Sequence, residues 1–372
     1  MSSFPRIAPL LSDLQQGLTR RSFLTRTAVA GTALAAACQP GDQEVPRTEG
    51  AGAGATVPPG SFNSSSREDT LLGLDTLDHT MPMGAMSADR AAPYRRYDPA
   101  LPPLSSERTL RLNWRAQELP LRIDPNTVVA AWTFEGDIPG PIVHCRQGDT
   151  VEFTLTNEGD VPHSMDFHAA QINPKTAFRS VPKGQSVTFT FQPRYAGAFM
   201  YHCGTAPVLM HIGYGMYGAI IVSPREPLPE AREFVIVQSE YYLGQASNGV
   251  IAFDFGKMMG TGSPDYVVFN GRPNQYLAEP IRVRRGERVR FWVVAAGPTH
   301  SCQFHVVGEQ FERVYVGAPP RNFIEGVQTY GVPAGGGMCF EFVADIEGEF
   351  PIVNHGFGHG QMGAIGFLVV DP

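Results

Sequence analysis

Three short segments occur twice in this chain, in the same order, and that duplication limits what it can fold into. Gly148-Asp-Thr-Val-Glu-Phe153 answers to Gly286-Glu-Arg-Val-Arg-Phe291, and His163-Ser-Met-Asp-Phe-His168 answers to His300-Ser-Cys-Gln-Phe-His305. Met216-Tyr-Gly-Ala-Ile220 is matched by Met362-Gly-Ala-Ile365. Such self-similarity marks two copies of one structural unit. Each copy is rich in alternating runs such as Thr150-Val-Glu-Phe-Thr-Leu155 and Ser186-Val-Thr-Phe-Thr-Phe191, broken by Gly and Pro. Period-two alternation marks half-buried strands, and many short strands separated by turns build a sandwich. The expectation is an all-β protein of two tandem β-sandwich domains, at 106–225 and 226–372.

One stretch of the first copy carries chemistry. Tyr201-His202-Cys203 is followed by His211 and then by Met216. A thiolate, an imidazole and a thioether at that spacing are three of the four ligands of a blue-copper centre, which takes His₂Cys with a weak axial Met. His163, in Pro162-His163-Ser164, supplies the missing imidazole. Both segments read as strands, so neighbouring side chains face opposite ways. If Cys203 points inward to a metal, His202 points outward. By the same alternation His163 belongs with Cys203, while Asp166 and His168 share the face of His202. Two metal sites therefore stand back to back, joined through the peptide bond between residues 202 and 203. The outward pair needs a third nitrogen, for which the second half offers His300, His305, His355 and His359. The second copy has lost its thiolate: its corresponding segment reads Val353-Asn354-His355.

From Thr109 to Pro372 these motifs resemble the copper-containing nitrite reductases, specifically the variant with a short ligand loop. The resemblance implies two tandem cupredoxin-like Greek-key sandwiches. It also implies a type 1 copper on His163, Cys203, His211 and Met216, and a type 2 copper on His168, His202 and His355, with His355 reaching across from an adjacent subunit of a homotrimer. It assigns proton handling to Asp166 and His305, places Val307 over the substrate, and makes the substrate nitrite, reduced to nitric oxide. The electron would come from a soluble carrier, a cytochrome c or a small cupredoxin. The chain departs from the family pattern in Gln171-Ile-Asn-Pro-Lys-Thr-Ala-Phe178, and in carrying His359 and Met362 after His355. The alternatives are a two-domain multicopper oxidase that reduces dioxygen, or a non-enzymatic copper or electron-transfer protein. A trinuclear oxidase cluster needs His-x-His and His-Cys-His pairs, which are absent, and ten histidines are too few once His163 and His211 are used.

Other candidates have plainer readings. His144 is expected to be an ordinary strand residue, His300 a hydrogen-bonded relic of the duplication, and His359 a surface residue. Cys145, Cys302 and Cys339 are expected to be buried thiols or a disulfide pair. At the front, Thr19-Arg20-Arg21-Ser-Phe23-Leu24 and the apolar run to Ala37 read as a twin-arginine export signal over 1–38. Cys38, closing Leu34-Ala-Ala-Ala-Cys38, is a candidate lipid-anchor site, so the protein is expected in the periplasm or on the outer surface. Residues 39–105, rich in Gly, Ala, Pro and Ser, read as a flexible tether. Met81, Met83 and Met86 fit that composition better than a soft-metal cluster. The formal net charge of −7 argues against a nucleic-acid partner.

Overall fold

A computed structural model describes residues 86–372. The export signal, Cys38, His79, Met81 and Met83 lie outside the described residues.

The strand Thr150–Asn157 shows how the first sandwich arises: its residues alternate between partial and full burial, with Val151, Phe153 and Leu155 inward. It pairs with Thr109–Arg122 on one side and Ser186–Phe191 on the other, in a six-stranded sheet. A four-stranded sheet of Val143–Arg146, Tyr217–Ser223, Gly197–His202 and Asp166–Phe167 lies against it. Between them Trp114, Phe134, Phe153, Phe167 and Tyr201 form an apolar core that also holds Cys203 and Met216. The second sandwich repeats the plan with a six-stranded and a five-stranded sheet around Phe291, Phe304, Phe311 and Phe340. A third core, including Tyr217, Ile221, Val235, Trp292 and Val294, fuses the two domains.

The halves are interlocked rather than strung in line. The strands Leu243–Ser247 and Val250–Phe253, which follow residue 226, complete the first domain's sheet, with Ile251 paired to Val129. Residues 86–105, expected to belong to a flexible tether, are instead packed on the domains. Over 86–105 the chain is laid across both domains: the Tyr97 hydroxyl donates to the Gly140 carbonyl at 3.0 Å, and its amide donates to Gln275 Oε1 at 2.8 Å. Ala100 forms a bridge to Phe234. Tyr97, Leu101 and the prolines offer apolar surface and fixed φ that a Gly/Ser linker lacks.

Residues 148–153 and 286–291 keep the same register in their sheets, but the other two duplicated segments match in letters and not in register. Cys203 N–H donates to Met216 O, and Met216 N–H to His211 O; Asn354 N–H donates to Ala364 O, and Ala364 N–H to His359 O. Asn354 thus takes the place of Cys203 and Ala364 that of Met216, not Met362. Likewise Asp166 pairs with His202 whereas His305 pairs with Val353, so His305 occupies the position of Asp166. A slip of two residues along a strand keeps every side chain on its original face, which is why it leaves no trace in the hydrophobic pattern.

Candidate metal centres

Three segments of the first domain converge on one buried point. His163 is held in place by an isolated bridge to Val181. Cys203 follows the strand Gly197–His202, and His211 sits on the short helix Val208–Gly213. The Cys203 sulfur lies 3.2 Å from His211 Nδ1, and the two histidines' Nδ1 atoms are 3.3 Å apart. All three side chains are buried, Met216 is buried in the same core, and the three donor atoms lie within 4.8 Å of one another. The Ser164 amide donates to Cys203 Sγ at 3.2 Å. Burial alone would push the Cys203 thiol up, but the His163 ring and the amides of Thr205 and Ser164 outweigh it and bring the thiol below its ordinary value. Burial drives His211 down to about 3, so its ring is neutral and free to bind metal. One soft sulfur and two imidazole nitrogens in a dry pocket, with a thioether residue beside them, are a donor set that fits copper.

The second group occupies the other side of the same peptide. Asp166, His168 and His202 present ligand atoms within 4.8 Å of one another. His168 Nδ1 faces the Gly335 carbonyl at 3.0 Å and His202 Nδ1 faces the Cys203 carbonyl at 2.9 Å. A carbonyl only accepts, so each Nδ1 carries the proton and each Nε2 is left as a lone-pair donor. Those two Nε2 atoms are 3.1 Å apart. Burial holds the His202 ring below its ordinary value, which favours the neutral form that a ligand requires. His168 is exposed, so this set opens to the surface.

His305 and His355 form a separate pair on the second domain, with ring centroids 5.3 Å apart. His305 Nδ1 is held by the Gln328 carbonyl at 2.5 Å, and His355 packs on Phe357. Val307 and Phe357, 39 % and 58 % exposed, flank them, so this face too is open. Within one chain His355 does not belong to the Asp166–His168–His202 group.

The remaining histidines have ordinary partners. His144 is bonded to the Pro102 carbonyl and the Ser223 hydroxyl. His300 is tied to Gly262 O and, through its amide, to Glu240. His359 is partly buried rather than on the open surface, with Nδ1 3.1 Å from Asn354 Nδ2 and its ring tilted against that of His300, centroids 4.7 Å apart. Cys145, Cys203, Cys302 and Cys339 are all free. The divergent stretch after His168 forms the short helix Pro174–Ala177, capped by Asn173.

Two partners of these groups were not evident in the sequence. Gly335 belongs to a run of three glycines, and a Cβ on Gly337 would lie 2.4 Å from the Ala198 carbonyl. Only glycine lets the second domain's backbone come that close to the first domain's ligand strand. The other is Glu118, whose Oε1 lies 3.3 Å from His163 Nε2 and accepts the amides of Asp160 and Val161.

Two fused sandwiches, with a buried thiolate–imidazole group and an open imidazole–carboxylate group on opposite sides of one peptide bond, define a two-domain copper redox protein. The family model described as "Multicopper oxidase" matches residues 116–227. The copper-containing nitrite reductase of Neisseria gonorrhoeae is 40 % identical over 272 residues, which is 70 % of this chain and 68 % of that protein. The corresponding protein of Cereibacter sphaeroides is 29 % identical over 82 % of this chain and 84 % of its own. Among solved structures, the copper nitrite reductase of Nitrosomonas europaea superposes with a TM-score of 0.65 at 35 % identity, covering 70 % of this chain and 94 % of that one. This chain belongs to the copper-containing nitrite reductases. Its cofactor is copper.

Proposed function

We propose that this enzyme reduces nitrite to nitric oxide and water with one electron and two protons, using two copper sites wired through the 202–203 peptide. His163, Cys203, His211 and Met216 hold the type 1 copper. His168 and His202, with His355 of an adjacent copy, hold the type 2 copper. The metals supply one-electron transfer at the first site and Lewis-acid polarisation of nitrite at the second. Everything else falls to the protein. Asp166, beside His168 and His202, donates a proton to a nitrite oxygen as it leaves. His305, with its Nδ1 fixed on Gln328, presents Nε2 as the second proton carrier. Val307 and Phe357 supply apolar surface that keeps bulk water from the pocket once the subunits meet.

The observation that carries this reading is the back-to-back placement of the two donor groups, with Cys203 fully buried on one side and the Nε2 pair of His168 and His202 on the other. The two open half-sites on one chain support an assembly of copies, because each lacks what the other displays; that the assembly is a homotrimer rests on the family resemblance. Since each turnover consumes one electron, a one-electron carrier such as a soluble cytochrome c or small cupredoxin suits as donor. Export through the twin-arginine route, with anchoring through Cys38, rests on the sequence from Arg20 to Cys38.

Copper-loaded protein given a reduced artificial donor under anaerobic conditions is expected to evolve nitric oxide in proportion to the nitrite added. Rapid oxygen uptake with no nitric oxide from nitrite would make it an oxidase, the class its family-model match also admits.

A further inference from the structure

Glu118 touches no substrate and belongs to neither ligand group, yet its carboxylate stands against a type 1 ligand. It lies on the strand Thr109–Arg122, with its side chain 13 % exposed. Its Oε1 is 3.3 Å from His163 Nε2, on the far side of the ring from Nδ1, the atom that faces His211. The same oxygen accepts the amides of Asp160 at 2.8 Å and Val161 at 2.9 Å, so the carboxylate is fixed rather than swinging. Gly159 leaves room for the contact: a Cβ there would lie 2.6 Å from Glu118 Oε1 and 2.9 Å from His163 Nε2.

We infer that Glu118 is a positioning residue that sets the reduction potential of the type 1 copper by holding the proton on His163 Nε2 and placing a negative charge behind that ligand. The inference rests on the ligand set proposed above. A carboxylate bonded to the distal N–H of a ligand imidazole makes the ring a stronger donor. The oxidised metal carries one more positive charge than the reduced one, so a fixed anion and a more basic ligand both favour the oxidised form. Hydrogen bonding around the Cys sulfur is an established means of tuning the potential of such sites, and a bond to a ligand imidazole acts on the same centre. Partners of this type change metal affinity by about 10–100-fold. When the change falls on one oxidation state, the same factor enters the redox equilibrium, and tenfold is about 59 mV for one electron.

Glu118→Gln isolates the charge, because the amide oxygen can still accept both backbone amides and the His163 proton. Spectroelectrochemical titration of the visible band in the copper-loaded variant is expected to show a midpoint at least about 59 mV above wild type, a tenfold shift toward the reduced form. A midpoint equal to wild type, with the band intact, overturns the inference and leaves Glu118 a purely structural clamp. Absence of the band from the wild-type protein would instead sink the ligand assignment beneath it. If the Gln variant loses its colour or its fold, Glu118→Asp is read in its place. It keeps the charge but withdraws it by one methylene, so a raised midpoint supports the role and an unchanged one refutes it.

Discussion

Asp166→Asn protein is expected to take up both coppers, keep its visible colour and lose about 10²- to 10⁴-fold of its nitrite turnover, the usual worth of a positioned general acid. Asn has the shape of Asp and can accept the same hydrogen bonds, but it has no proton to give. Asp166 is paired across the strands with His202, and its ligand atom lies within 4.8 Å of those of both outward histidines, so a nitrite bound to a metal on their Nε2 atoms would lie beside its carboxyl. A nitric oxide electrode, together with copper counted in the same sample, checks this. Undiminished turnover in copper-replete Asp166→Asn would remove the residue from proton delivery.

His355→Ala is expected to abolish nitrite turnover by emptying the second copper site while leaving the coloured site untouched. Two imidazoles alone are a poor hold for a metal that must keep a position open to substrate. His168→Ala should fail in the same way, from the opposite side of the interface. Chains carrying one change each, assembled together, then provide a sharper result. Wherever an intact His168–His202 face meets an intact His355 face, a complete site re-forms, and part of the activity should return. Two inactive variants that stay inactive in mixed assemblies would mean that His355 does not act across subunits.

The ligand strands were the most legible part of the chain, because alternation along a strand is fixed by backbone geometry. Residues 202 and 203 had to diverge, and they do: Cys203 is fully buried while His202 looks out beside His168. The two-sandwich architecture was legible for the same reason, from runs such as Thr150–Asn157. Register between the copies was legible for residues 148–153 and 286–291 but not for the other two pairs. A slip of two residues is invisible to a pattern whose period is two, so the shared letters of His163 and His300 misled where strand pairing put His305 opposite Val353. Contacts between residues distant in sequence were hidden as well. Nothing near Glu118 in the chain announces His163, and nothing near Gly335 announces His168; only folding brings them within 3.3 and 3.0 Å. The stretch 86–105 shows the limit of composition. Proline-rich segments read as tethers until an apolar seam between two domains gives them something to cover.

That successive side chains at 202 and 203 serve different metals is tested most directly by Cys203→Ser, with copper counted per chain and the visible spectrum recorded on the same sample. Loss of the thiolate should erase the intense band and one copper, while His168, His202 and His355 retain the other. Loss of both coppers together in a folded protein, or a band that survives without the sulfur, would contradict the two-site arrangement.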